Sequence, residues 1–180
     1  LEAAKKRLGF EEVFELALAS LLNKYELMTE HAPAVPFEQT IAQDFVKHFP
    51  FTLTSAQRKV IWQIYQDMER TQPMNRLVEG DVGSGKTVVA AMAAVMVLHH
   101  GHQVALMAPT ELLARQHAET MYKLLVPLGY GDTVGLLVGG MTAQQKAQAH
   151  AAVKAGRIRC IIGTHALSQD TVEMAALGLV

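Results

Sequence analysis

The chain has 180 residues, of which 50% are hydrophobic and 18% charged, with a formal net charge of −1. That balance suits a globular domain with a sizeable core, and it leaves out the strongly basic footprint by which charge alone would announce nucleic acid, though local patches and backbone amides can still bind it. A single cysteine, Cys160, excludes an internal disulfide, and the longest apolar run, Val88 to Leu98, is too short to cross a bilayer, so a reducing cytoplasmic setting with no membrane partner is expected.

In chain order, Leu1 to Met28 reads as a helix, with Leu8, Val13, Leu16, Leu18, Leu21, Leu22 and Tyr25 at near-helical spacing between charged residues. Pro33 and Pro36 end that pattern, and a short helix is expected from Glu38 to His48. A boundary is expected there, with residues 1–48 a helical linker segment leading into residues 49–180. Thr54 or Ser55 can cap a helix running to about Arg70. Strand-like and helix-like segments then alternate. Strands are expected at Asn75 to Glu79, Gln103 to Ala108, Thr133 to Val138 and Ile158 to Ile162. Helices are expected at Gly85 to His100, Thr110 to Leu125 (with Thr110 as cap) and Thr142 to Ala155. After the segment Ala166 to Ala176, Leu177 to Val180 looks like the opening of another buried strand. Alternation of this kind, in a chain poor in aromatics, specifies an α/β fold: a parallel sheet with helices on both faces.

Between the first of these strands and its helix lies Gly80-Asp81-Val82-Gly83-Ser84-Gly85-Lys86-Thr87, which fits G-x-x-x-x-G-K-[ST] at every position. Glycines let the backbone curl so that successive amide hydrogens point inward at phosphate oxygens, and the following helix adds its positive end. Lys86 is expected to reach the β- and γ-phosphates of a nucleotide, and Thr87 to offer its hydroxyl to the nucleotide's Mg²⁺. Asp81, an anion beside phosphates, is expected to face outward or to cap.

Upstream, Phe51-Thr52-Leu53-Thr54-Ser55-Ala56-Gln57 offers an aromatic ring that can stack on a base and a glutamine amide that can read the edge of adenine. Read without context, Gln57 is equally a polar residue in a helix's first turn. Downstream, Ala108-Pro109-Thr110-Glu111-Leu112-Leu113-Ala114-Arg115-Gln116-His117 and Ile162-Gly163-Thr164-His165-Ala166-Leu167 each follow a strand. Strand ends that open onto helix starts suit a phosphodiester backbone. In this order and wording the segments resemble the adenine-reading, phosphate-loop, Ia and Ib motifs of superfamily-two helicases. They are most similar to the RecG family of bacterial ATP-dependent DNA helicases. The transcription-repair coupling translocases share Gly80-Asp81-Val82-Gly83 and Gly163-Thr164-His165; Ser84 and Ala108-Pro109-Thr110-Glu111 favour RecG. The resemblance runs from about Phe49 to the C-terminus and is weaker over Leu1 to Met28.

The resemblance implies a RecA-like motor lobe that takes ATP and Mg²⁺ and acts, as a monomer, on branched double-stranded DNA such as forks and Holliday junctions. It implies nucleotide contacts from Phe51, Gln57 and Gly80 through Thr87. It implies nucleic-acid contacts from Pro109, Thr110, Glu111, Gln116, Gly163, Thr164 and His165. The acidic pair that holds Mg²⁺ and positions water follows, in this family, a strand resembling Leu177 to Val180; the chain ends there, and Asp170 and Glu173 precede it. The 180 residues alone are therefore expected to bind nucleotide weakly and to hydrolyse almost nothing. A different class, a P-loop kinase or nucleotide switch, stays open on the phosphate loop alone; it predicts a lid and an acceptor site in place of Gln57 and the Ia segment. His99, His100 and His102 read as a solvated helix end rather than a metal site. Cys160, Met92, Met96 and Met107 read as core.

Overall fold

The computed structural model describes residues 2–168 and 172–180. Asp170, weighed above as a carboxylate, lies outside the described residues. The chain begins with helix α1 (Glu2–Thr29), followed by α2 (Gln39–Lys47) and α3 (Ser55–Met68). Then come α4 (Lys86–His99), β1 (Gln103–Met107), α5 (Glu111–Leu125), β2 (Val134–Leu137), α6 (Ala143–Lys154), β3 (Cys160–Gly163) and β4 (Leu177–Leu179). The strands form one sheet in the order β2-β3-β1-β4, every neighbouring pair parallel.

Period-two alternation divides the strands between two faces. Val104, Leu106, Cys160 and Ile162 point to the side holding α2, α3, α4 and α5, while Ala105, Ile161 and Leu137 point to the side holding α6 through Ala149 and Val153. Helix α4 is the centre of the larger core: Ala91 through Leu98 are all buried, as a continuous apolar run requires. Met92 and Met96 fill this core as expected; Met107, at the last position of β1, is 41% exposed instead, because the strand is leaving the sheet there.

Helix starts are specified locally. Thr54 caps α3 and Thr142 caps α6, each in a full capping box with Gln57 or Gln145 at the third helical position, and Thr110 caps α5 by accepting from Leu113 N. Gln103 is the buried polar residue of the sheet. Its amide nitrogen donates to Val153 O and Ile158 O, and its oxygen accepts from Ala176 N, tying the end of α6 and the entry to β4 to the start of β1.

One expected strand is absent. Residues 75–79 are not a strand: the segment approaches the phosphate loop without joining the sheet's ladder. A strand exists only with a backbone partner, and β1 to β4 pair among themselves, so the apolar Leu77-Val78 pair stays outside the sheet with Leu77 82% exposed. Arg76 is anchored differently, by donating to Asp67 Oδ2 on α3 from both Nε and Nη2. Helix α1 forms as expected, and its Leu8, Phe10, Val13, Leu16 and Leu21 side chains are exposed. Its Ala, Leu, Glu and Lys content favours helix locally, and none of its described side chains is buried.

Candidate functional site

The phosphate loop sits between α3 and the start of α4. Gly83 and Gly85 take φ values of +82° and +83°, a region that suits glycine and strains other residues. A Cβ at Gly80 would fall 2.7 Å from Ser84 Oγ, so a larger residue there would turn that hydroxyl out of its place. Ser84 N donates to Asp81 O, closing the turn at 3.1 Å. Asp81 and Val82 are exposed at the crest, in line with the outward orientation expected for Asp81. Gly85 is the N-cap of α4 and offers no side-chain cap, so the start of a 14-residue helix presents its amide hydrogens and positive end to the loop. The Lys86 ammonium crosses the loop and donates to Gly80 O at 2.6 Å and Asp81 O at 2.8 Å. Thr87 lies one position on, in the first turn of α4.

Gln57 ties this loop to α3. Its oxygen accepts from Thr54 N at 2.9 Å, completing the capping box, while Nε2 donates to Ser84 O at 2.9 Å. The contact is close enough that a Cβ at Gly85 would fall 2.3 Å from Gln57 Nε2. So Gln57 is a first-turn polar residue and a loop contact at once, and its side-chain nitrogen keeps a second hydrogen to donate. Phe51 is 45% exposed and stacks on Phe49 at 5.3 Å, the outer ring of a ladder that continues to Phe45.

The other sequence candidates gather where β1, β2 and β3 end. Met107 and Leu137 are both in register with Gly163, so the three strands leave the sheet side by side at its carboxyl edge, where ligands of open α/β sheets bind. Pro109, Thr110 and Gln116 are exposed. The Thr110 hydroxyl is committed as the cap of α5. Gly163 is buried; a Cβ there would lie 2.2 Å from Leu137 O, and its own carbonyl accepts from Ala108 N at 2.8 Å. Its place is thus in the packing beneath the edge. Thr164 is half-buried with its carbonyl accepting from Leu167 N, and His165 is exposed at the start of a short 3₁₀ turn.

Glu111 opens α5, and its carboxylate accepts from Arg115 Nη2 at 2.8 Å and from Gly140 N at 3.0 Å. These hydrogen bonds, with the charges of Arg115 and Lys146, hold its carboxyl below the usual range, so it is ionised at neutral pH. The turn Gly139-Gly140 had no role assigned from sequence; the doublet after a strand was the available signal.

The histidines near the end of α4 are less solvated than expected. His99 and His100 each place Nε2 near a carboxylate oxygen of Glu38, at 3.4 and 3.5 Å, and His100 Nε2 is 2.9 Å from Pro36 O. Among the described residues no group of three or more His, Cys, Asp or Glu could hold a metal ion. Glu173 pairs with Lys154 and is engaged away from the loop. Among the same residues no helix is long and apolar enough to cross a membrane.

A parallel α/β sheet with a glycine-rich phosphate loop running into a buried helix defines a P-loop nucleotide-binding lobe. The family model for DEAD/DEAH box helicases matches residues 54–180, and the chain belongs to that family. Within it the similarity is to RecG. The chain is 45% identical over 175 residues to the ATP-dependent DNA helicase RecG of Aquifex aeolicus, covering 97% of this chain and 22% of that protein. To RecG of Escherichia coli it is 41% identical over 177 residues, covering 98% and 25%. The chain thus spans about a quarter of the length of the curated relatives it matches. A solved structure of RecG bound to a three-way DNA junction superimposes with a TM-score of 0.86 at 39% identity, covering 99% of this chain and 24% of that one. A hypothetical ATP-dependent RNA helicase from Sulfolobus tokodaii, 22% identical with a TM-score of 0.52 over 72% of this chain and 34% of its own, shares the fold.

Proposed function

We propose that this chain is the phosphate-binding part of the first motor lobe of a RecG-type helicase, an ATP-driven enzyme acting on branched double-stranded DNA. In this proposal residues 49–180 belong to the RecA-like lobe and residues 1–48 lead into it. The observation that carries the reading is the bond from Gln57 Nε2 to Ser84 O, which joins the adenine-reading segment to the phosphate loop.

The loop and its neighbours suit a nucleoside triphosphate. Gly80 through Gly85 form the backbone cradle, and α4 directs its positive end at the phosphates. Lys86 exchanges the neutral carbonyls of Gly80 and Asp81 for β- and γ-phosphate oxygens, so its ammonium offsets part of the negative charge that the nucleotide brings. Gln57, with one amide hydrogen on the loop, presents the other toward the base, and Phe51 offers the ring face beyond it. Thr87, in the first turn of α4, would offer its hydroxyl to Mg²⁺ beside the nucleotide's own phosphates. The ion, when bound, neutralises phosphate charge.

Nucleic acid is assigned to the carboxyl edge of β1 to β3, with Pro109, Gln116, Thr164 and His165 exposed or half-exposed along it. Thr110, Glu111 and Gly163 shape that edge from within. The solved RecG complex holds a three-way DNA junction, and we extend that substrate class to this chain. The protein is proposed to work as a cytoplasmic monomer.

Titration of a fluorescent nucleotide tests the reading. ATP is expected to compete at least about tenfold better than GTP, with that preference lost in Gln57→Ala and binding itself lost in Lys86→Ala. Equal competition by ATP and GTP would favour a nucleotide switch over a helicase lobe.

A further inference from the structure

Glu111 carries a negative charge on the edge assigned to a polyanion, an awkward position for a direct nucleic-acid contact. Its hydrogen bonds explain why it is there. One carboxylate oxygen accepts from Arg115, four residues on along α5, and the other accepts from Gly140 N, in the turn between β2 and α6. The contact is reciprocal. A Cβ at Gly140 would lie 2.7 Å from Glu111 Oε1 and 3.1 Å from Oε2, whereas at Gly139 it would reach no atom nearer than 4.0 Å. Neither glycine has a positive φ, so no backbone strain calls for glycine at Gly140; a methyl there would press on the carboxylate and push it aside.

We infer that Glu111 is a positioning residue, which locks the turn after β2 to the turn after β1 and so presents both as one rigid surface to the phosphodiester backbone. This rests on the proposed DNA face. The two turns begin α5 and α6, and each helix is capped by its own threonine, Thr110 or Thr142, so both helix starts are fixed internally. What remains to be fixed is their relative position, and the Glu111 carboxylate spans it. Arg115 offsets the charge of the carboxylate, which lets an anion serve beneath a polyanion. Gly139, exposed and free of the carboxylate, is left to approach the backbone closely.

The test uses the full-length protein and reads DNA-stimulated ATP hydrolysis together with amide hydrogen exchange. Glu111→Ala is expected to raise the DNA concentration for half-maximal stimulation about tenfold, with a much smaller change in the rate at saturating DNA. Glu111→Gln keeps an oxygen for Gly140 N and is expected to recover most of the loss. Gly140→Ala breaks the same contact from the other side and is expected to match Glu111→Ala, with the double variant no worse than either single one. Exchange at the amides of Gly139 through Met141 is expected to quicken in Glu111→Ala. An unchanged half-stimulating concentration, or tighter DNA binding in Glu111→Ala, overturns the inference, the latter marking the carboxylate as a repelling neighbour. Unchanged exchange overturns the lock itself. A wild-type protein indifferent to DNA removes the proposed function, while exchange still decides whether Glu111 holds the turn.

Discussion

Gln57 Nε2 donates to Ser84 O across 2.9 Å, so the first turn of α3 and the crest of the phosphate loop are held as one piece. The other end of the same amide completes the capping box of α3 by accepting from Thr54 N. Substitutions can separate these duties. Gln57→Glu keeps an acceptor for Thr54 N but faces Ser84 O with a carboxylate oxygen in place of a donor. Its thermal stability is expected to stay near wild type while nucleotide affinity falls as far as in Gln57→Ala. Gln57→Ala is also expected to lose about 0.5–1.5 kcal/mol of stability with the cap. Calorimetry beside nucleotide titration reads both; equal affinity for Gln57→Glu and wild type would separate the glutamine from the loop.

Gly85 tests the same relationship from the loop's side. Gly85→Ala imposes a Cβ both on a φ of +83° and on Gln57 Nε2. It is expected to weaken nucleotide binding by at least about tenfold, with the strain costing about 1–3 kcal/mol. Gly83→Ala meets no neighbouring atom within 4 Å and carries only the φ cost, so the smaller defect is expected there.

Much of this arrangement was legible in the sequence. The loop's spacing, the threonine caps and the order of strands and helices are local signals, and α3, α4, α5 and α6 lie within a few residues of where propensity and capping place them. What was hidden depends on contacts between distant residues. Residues 75–79 have strand composition, but composition cannot say whether a ladder partner is at hand. Near-helical spacing marks α1 as a helix, but spacing alone does not say whether Leu8, Val13, Leu16 and Leu21 are covered, and they are exposed. Glu111 read as a DNA contact because its segment did; only the fold brings Gly140, 29 residues away, onto its carboxylate.

Gln103 is expected to be a stability hot spot. Gln103→Leu keeps the volume but leaves Val153 O, Ile158 O and Ala176 N without their side-chain partner. The expected cost is about 2–4 kcal/mol, read as a drop in the denaturant midpoint with little change in slope. A cost within about 0.5 kcal/mol would show that these groups find other partners.

Stability should decline on the alkaline side. Burial pushes the Cys160 thiol up to about 12 and raises the Tyr65 hydroxyl, which donates to Met92 O. Both groups are held neutral in the fold, whereas the unfolded chain releases these protons near the ordinary values of about 8.5 and 10. Their contribution is complete below those values, and is lost as pH rises from about 8.5 toward the folded-state values, because the unfolded state then binds fewer protons. Denaturation midpoints measured from pH 7.5 to 10.5 are expected to fall, and Cys160→Ala is expected to flatten the first part of that fall. A midpoint independent of pH across this range would show that neither group is held neutral.

The most direct measurement is ATP hydrolysis by the full-length protein with and without a three-way DNA junction, for wild type and Lys86→Ala. The account predicts hydrolysis stimulated by the junction in wild type and reduced at least about a hundredfold in Lys86→Ala, whose ammonium is the loop's charge for the phosphates. Hydrolysis that ignores the junction, or that survives in Lys86→Ala, would contradict it.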